Sequence, residues 1–479
     1  MWKYKYKSNI EIYLNKNDME KTKKRSPWAW IPTLYFAQGI PYFAVNTISV
    51  LMFKRLGMSN ADIALYTGWL YLPWVIKPFW SPFVDIIKTK RWWTVIMQII
   101  VAVALAGVAL TLPSPEVTKD ILAGVEVTDA TAAPVSSFIF ALAIFWVMAF
   151  ASATHDIASD GYYMLALNTN EQSLFVGIRS TFYRLASIFG QGVIVILAGM
   201  METGMENIPA AWRITFIVMS VFFGVVALYH TFILPRPASD RSVIKEGEKA
   251  NAKTIVNEFA KTFGTFFRKP FVWLAILFML LYRLPEAQLI KIIQPFLVDP
   301  MKVGGLGLDT ASVGIAYGTI GIIGLTVGGI VGGICASNGG LKKWIWPMAL
   351  CFTLNSLVYV FLSNLMPDYT TIAGKFTIYG CVFLEQFSYG FGFTAFMLFM
   401  MYFADGEHKT SHYAICTAFM ALGMMIPGMF AGQLEEFFGY RNFFWWVLGC
   451  NAATLLVTFF VYPKIDPNYG RKEKKAKTV

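Results

Sequence analysis

Apolar stretches of about the same length recur along almost the whole chain, parted by short polar connections. The pattern predicts twelve helices, over 28–53, 61–86, 92–112, 135–160, 174–200, 212–234, 271–297, 310–336, 344–365, 372–403, 411–434 and 442–462. A hydrocarbon core about 30 Å thick needs roughly 20 apolar residues per helical span. Helices are expected because an open sheet leaves backbone groups unsatisfied in lipid. The longest polar interruption, 235–270, falls between the sixth and seventh spans. The chain therefore reads as an all-α integral membrane protein of two six-helix bundles, 28–234 and 271–462, with a linker at 235–270 and tails at 1–27 and 463–479.

Composition agrees with this reading. The 479 residues are 56% hydrophobic, 16% aromatic and 14% charged, against about 25% charged in soluble domains. The net charge of +11 raises the possibility of a nucleic-acid partner, but its distribution has a simpler origin. Of the 40 Lys and Arg, 28 lie in the two tails and the even-numbered connections; the odd-numbered connections and the span ends beside them hold 7: Lys54, Arg55, Lys119, Arg213, Lys302, Lys375 and Arg441. Such an excess marks the cytoplasmic side, so both termini and the linker are expected inside, with no nucleic-acid partner. No small-residue cleavage site follows the basic first 27 residues, so the first span is expected to be retained. The five cysteines show no metal-like spacing, and neither a metal nor a cofactor is expected.

Five spans carry polar residues at helical spacing. Tyr35, Gln38, Tyr42 and Asn46 share one face of the first span; Ser152, Asp156, Ser159 or Asp160, and Tyr163 share one of the fourth. The fifth has Ser180, Arg184, Ser187 and Gln191, with Arg179 beside them; the seventh has Arg283, Glu286, Lys291 and Gln294 around Pro285; the tenth has Glu385, Gln386, Tyr389 and Gly392. In lipid each such group costs several kcal/mol unless it faces a partner or a wet cavity. The stripes are expected to converge on one lumen between the bundles. A structural ion pair or interhelical hydrogen bond explains any one of them equally well.

Asp156 and Asp160 lie one turn apart near the inner end of span four, and Arg179 and Arg184 lie at similar depth in span five. Opposite charges at one level of a low-dielectric bundle should pair, and a pair that parts in another conformation is a gate. Arg283, Glu286 and Glu385 form a second cluster at mid-depth. Because the protonation of a buried carboxylate responds to neighbouring charge, Glu385, Glu286, Asp156 and Asp160 are the candidate proton carriers. Candidate solute contacts are the aromatic platforms Tyr35, Tyr42 and Tyr389, the amides Gln38, Asn46 and Gln386, and the cations Lys77, Arg283 and Lys291, which suit carboxylates.

Two sharper motifs give way to simpler readings. Glycines at 318, 321, 324, 328 and 332 in span eight suit close helix packing, because no Gly-Lys-Ser/Thr follows to make a phosphate loop. "HDIASD" matches a His-x4-Asp acyltransferase pattern, but residues five apart on a helix point about 140° apart. The chain is not expected to be an enzyme.

Four segments carry a family resemblance. Phe36 to Pro41 matches F-x-x-Q-G-[IL]-P with altered spacing of its aromatic; Lys77 to Asp85 matches K-P-x-W-[SA]-P-x-x-D. Ala153 to Asp160 matches A-T-x-D-I-A-x-D, and Glu385 to Phe396 matches E-x-x-x-x-G-x-G-x-x-x-F. The chain resembles the AmpG-type muropeptide permeases, a branch of the major facilitator superfamily related to acetyl-coenzyme A transporters. It departs from their pattern at His155 and at Gly161 to Tyr163. The resemblance implies a major facilitator fold and proton-driven import of anhydromuramyl peptides across a bacterial inner membrane; the chain is expected to be a monomer. It also implies a latch at Asp85 with Lys90 and Arg91 between spans two and three. Another sugar-, peptide- or acyl-coenzyme A-like solute, and an uncoupled carrier or transceptor, are the competing readings.

Overall fold

A computed structural model describes residues 25–124, 131–167, 169–237, 240, 260, 263–406 and 409–470. Both basic tails, at 1–24 and 471–479, and most of the predicted linker, at 241–259, lie outside the described residues. So does the side chain of Asp85.

Among the described residues every regular element is helical. Among the described residues nine runs are long and apolar enough to cross a bilayer. One of them, His412–Lys464, lies over the helical stretch Lys409–Val461, which is two helices parted at Gly439, whose φ of 70° breaks the helical course. Two further crossings are each broken into shorter pieces, so the total is twelve. They are α1 (Pro27–Arg55), α2 (Asn60–Trp69 and Leu72–Ile86), α3 (Lys90–Thr111), α4 (Val135–Ala166), α5 (Thr169–Ser187, continuing to Met205) and α6 (Ile208–Ile233). The second six are α7 (Val272–Leu281 and Leu284–Val298), α8 (Thr310–Gly339), α9 (Leu341–Leu365), α10 (Ile372–Ala404), α11 (409–438) and α12 (440–461).

The short connections set the helix starts. Ser59, Thr89, Asn207, Asp309 and Thr371 each accept a backbone N–H at 2.9–3.1 Å from the first turn they precede, an N-cap worth about 1 kcal/mol apiece. The surface is the reverse of a soluble protein's. Leu110, Phe140, Trp273, Phe376 and Phe437 are more than 70% exposed, while Gln98, Ser152, Ser356 and Thr454 are fully buried. Such a surface suits hydrocarbon, where apolar groups lose nothing by exposure.

Within the first half α1 packs on α5, and α3 packs on both α4 and α6; within the second, α10 packs on α8 and α9. The halves meet along α5 with α8 and α2 with α11. Glycines let these backbones touch. A Cβ added at Gly318 would lie 1.9 Å from the Gln191 carbonyl oxygen, one at Gly199 2.3 Å from the Ala311 nitrogen, and one at Gly432 2.0 Å from the Asn60 carbonyl oxygen. Farther along α8, Gly324 and Gly328 seat the helix on the carbonyls of Phe383 and Phe387 in α10. The glycine run is therefore a packing surface on two sides.

At one end of this seam a polar ring joins the halves. Lys54 Nζ lies 2.7 Å from Asp299 Oδ2 and donates to Asn60 Oδ1 at 2.9 Å. The Asn60 amide donates to Glu435 at 2.7 Å and to the Tyr440 hydroxyl at 3.0 Å, and Tyr440 donates to Asp299 at 2.6 Å. Beside it, Glu202 accepts from Arg55 at 3.0 Å, Trp212 at 2.7 Å and Thr310 of α8 at 2.7 Å. Apart from the bond between Lys291 and Thr67, the described hydrogen bonds and ion pairs between α1–α6 and α7–α12 gather at this end, where the odd-numbered connections lie.

Candidate functional site

Three helices leave α-helical geometry for a wider π turn, at Ala44–Ile48, Ile188–Ile194 and Ala316–Gly321. Two more break, α2 after Trp69 and α7 at Tyr282 and Arg283. All five irregularities border one cavity of about 530 Å³ between the halves, and Thr47, Gln191, Tyr317, Tyr71 and Arg283 line it from them. That volume falls within the range of small-solute sites. Non-ideal backbone at membrane depth is tolerated where it lines such a space.

On the second-half wall, Arg283 grips Glu286 through Nε and Nη2, both at 2.6 Å. This bidentate, charge-assisted geometry is a strong one, and Nη2 also meets the Tyr389 hydroxyl at 3.0 Å. The sequence builds the pair locally. Arg283 caps the second piece of α7, Pro285 starts its first turn, and Glu286 places its charge at the helix N-terminus, where a carboxylate is favoured.

Glu385 is held differently. Its carboxylate accepts from the Gln386 amide at 3.0 and 2.9 Å and from the Tyr359 hydroxyl at 3.5 Å. Asn355, with its amide nitrogen turned to the carboxylate, donates at 3.1 Å. No cation lies within ion-pair distance among the described residues. A proton can come or go here without breaking an ion pair, whereas Glu286 would lose its guanidinium.

The first-half wall is aromatic and cationic: Tyr42, Tyr71, Trp74 and Tyr183 stand with Lys77 and Arg184. Asp156 sits behind it, accepting from the Trp74 indole at 3.1 Å, with Gln38 and Lys77 close by. Asp160, one turn on, belongs elsewhere: it pairs with Arg179 at 3.1 Å and accepts from Tyr35 at 3.0 Å. Arg179 stacks over the rings of Tyr35 and Tyr163 at 4.5 and 5.2 Å. The expected face of α4 thus divides, and Arg184 pairs with neither aspartate. His155 turns away to Gln98, 2.9 Å off, and Gln98 in turn holds His230. His155 and Asp160 do not meet.

Of the residues singled out from sequence, Tyr42, Lys77, Arg184, Arg283, Glu286, Glu385, Gln386 and Tyr389 line the cavity. Tyr35, Gln38, Asn46 and Lys291 do not. The case of Asn46 has a plain cause: a π turn inserts an extra residue, so the lining position after Tyr42 falls on Thr47, five residues on, and Asn46 bonds back to the Tyr42 carbonyl at 3.0 Å. Lys291 instead donates to Thr67 of α2 at 2.9 Å and lies 5.1 Å from the Tyr71 ring. Arg91 holds the end of α6, bonding the carbonyls of Leu234, at 3.1 Å, and Thr231, while its backbone N–H is capped by Asp240 at 3.0 Å. Tyr71, Trp74, Tyr183 and Tyr317 were not anticipated, since an aromatic ring gives the same sequence signal at a cavity as at a bilayer interface. Nor were Glu202 and Asp299, although a carboxylate closing an apolar run was a visible cue.

The chain is similar to known proteins in sequence and in fold. The Major Facilitator Superfamily model matches residues 33–426. Putative transporter AmpG 4 of Rickettsia conorii is 22% identical over 446 residues, 90% of this chain and 96% of that protein. The anhydromuropeptide permease of Escherichia coli K12 is 23% identical over 448 residues, 91% of this chain and 81% of that one. Among solved structures, the nucleoside transporter NupG superposes with a TM-score of 0.62 at 14% identity, covering 92% of this chain and 100% of that one. A D-xylose-proton symporter does so with 0.62 at 13% identity, covering 93% and 98%. The architecture of two six-helix bundles around a shared cavity and the sequence match over most of the length agree: the chain belongs to the major facilitator superfamily of multi-pass membrane transporters.

Proposed function

We propose that this protein is a proton-coupled importer of anhydromuramyl peptides, working by alternating access in a bacterial cytoplasmic membrane with both termini inside. The observation that carries the reading is the pairing, in one cavity, of a carboxylate without a cation (Glu385) and a carboxylate locked to one (Glu286 with Arg283). Carboxylates in contrasting surroundings are a means of separating proton transfer from charge anchoring. The rings of Tyr42, Trp74, Tyr183 and Tyr389 supply flat faces with polar tips, which suit a sugar, and the muropeptide assignment draws on the named relatives.

In this scheme residues 28–234 and 271–462 rock about the α5–α8 and α2–α11 seams. The odd-numbered connections face outward, so the ring around Lys54 and Asp299 closes the outer side and the described conformation faces inward. Solute and proton bind from outside once the ring opens, and Glu385 takes the proton. Asp156, through Trp74, links the same event to α4.

The experiment is uptake of labelled anhydromuramyl tripeptide into liposomes holding the purified protein, with an imposed pH gradient, acid outside. Accumulation above the external concentration that collapses with a protonophore supports the reading. Equilibration that ignores the gradient would leave an uncoupled carrier, and no uptake of the tripeptide would reject the substrate.

A further inference from the structure

The cavity carries its charge unevenly. On the second-half wall Arg283 is answered by Glu286 at 2.6 Å, and Glu385 by neutral donors. On the first-half wall Lys77 of α2 and Arg184 of α5 line the same space, and among the described residues neither makes a hydrogen bond or an ion pair. Lys77 stands near Asp156 without pairing to it. The Arg184 guanidinium crosses the seam to α8, where a Cβ built at Gly329 would meet Nη2 at 3.4 Å. Both side chains are half-buried. A cation left unpaired in a low-dielectric surround is costly. An anion in the cavity removes that cost.

The remaining surface of the cavity is of another kind. Phe393 and Met397 of α10, with Met420 and Met424 of α11, make an apolar shelf. Methionine side chains are flexible and polarizable and adapt to varied apolar shapes. The net cation excess and the shelf belong to opposite halves of the protein, so a solute that satisfies both bridges them.

We infer that the transported solute is an amphiphilic anion whose acid group seats on Arg184, with Lys77 a second cation lining the same cavity, while an acyl or other apolar part lies on the shelf of Met397, Met420 and Met424. Arg184 offers a planar fork for two oxygens and Lys77 a point charge, a combination that accepts a carboxylate or a phosphate. The assignment rests on the reading of this cavity as the solute site and adds to it a polarity and a pair of anchoring residues. Arg283 is already engaged by Glu286.

The test is calorimetric binding to the purified full-length chain, without a gradient, of three probes: anhydromuramyl tripeptide with free carboxylates, the same peptide with every carboxylate amidated, and acetyl-coenzyme A as a phosphate-bearing acyl compound. The free acid is expected to bind roughly tenfold or more tighter than the amide, as for a lost charge-assisted hydrogen bond. Arg184→Gln should weaken binding of the free acid more than that of the amide and so erase the difference, and Lys77→Gln should reduce it. Arg184→Lys, which keeps the charge and loses the fork, should fall between and guards against a folding defect in the glutamine variant. Equal binding of acid and amide to the unaltered protein would overturn the anion seat and leave the muropeptide reading standing. Binding of acetyl-coenzyme A that depends on Arg184, with neither peptide binding, would uphold the seat and overturn the muropeptide reading.

Discussion

Lys54 Nζ lies 2.7 Å from Asp299 Oδ2 and ties the end of α1 to the end of α7 across the boundary between the halves. The two side chains are only 12% and 16% exposed, and Tyr440 and Asn60 complete a ring around them. The ring is the polar counterpart of the glycine seams, which bring the same backbones close.

Asp299→Asn is therefore expected to favour opening at this end. Removing one partner of a buried ion pair costs about 3–5 kcal/mol, and Lys54 keeps Asn60 as an acceptor, so the loss should lie toward the low end. Spin labels at the exposed positions Lys119 and Lys302 would report it as a longer distance component. An unchanged distance distribution would remove the ring from the conformational equilibrium.

Glu385→Gln keeps the size and hydrogen-bonding capacity of the side chain while removing its proton chemistry. Uptake in liposomes should then lose its response to outside acidification. Exchange of labelled for unlabelled solute, which needs no net proton movement, should persist. Asp156→Asn, which preserves an acceptor for Trp74, is expected to lower accumulation too. Gradient-driven uptake at the original level in both variants would refute a proton-carrying role for these carboxylates.

Gly318→Ala sets a methyl group where 1.9 Å separates it from the Gln191 carbonyl oxygen. The backbones of α5 and α8 must part, with a penalty of about 1–3 kcal/mol for overpacking. On the same helix, Gly333 has no atom within 4 Å of an added Cβ, so Gly333→Ala should be neutral or gain about 0.5–1 kcal/mol. Thermal unfolding of the two variants in one detergent compares them directly. Equal melting temperatures would mean that the seam is not under close-packing constraint.

The Arg179–Asp160 pair differs from the ring in exposure, at 30% and 43%. Solvent-screened pairs contribute about 0–1 kcal/mol, so Asp160→Asn should barely change the unfolding temperature, although Tyr35 loses a carboxylate acceptor. A loss several times larger would show that the cluster is buried during the transport cycle.

Sequence alone settled what each helix requires. Length and hydropathy determined twelve crossings, because the thickness of hydrocarbon and the cost of bare backbone polar groups act on every segment separately, but not the break of α7 at Tyr282 and Arg283. It also identified the cavity stripe of α5, where Arg184, Ser187 and Gln191 all reach the lining. It did not determine which polar residues meet. That depends on how each helix is rotated and on what faces it. A π turn moved the α1 lining from Asn46 to Thr47, and α4 sent Asp156 toward Trp74 but Asp160 toward Arg179. Lys54 and Asp299 are 245 residues apart in the sequence and came together only through the packing of the halves. Periodicity describes one helix against an unspecified interior, whereas a site is a relation among several, and the energy of a buried charge depends on the partner that tertiary structure supplies.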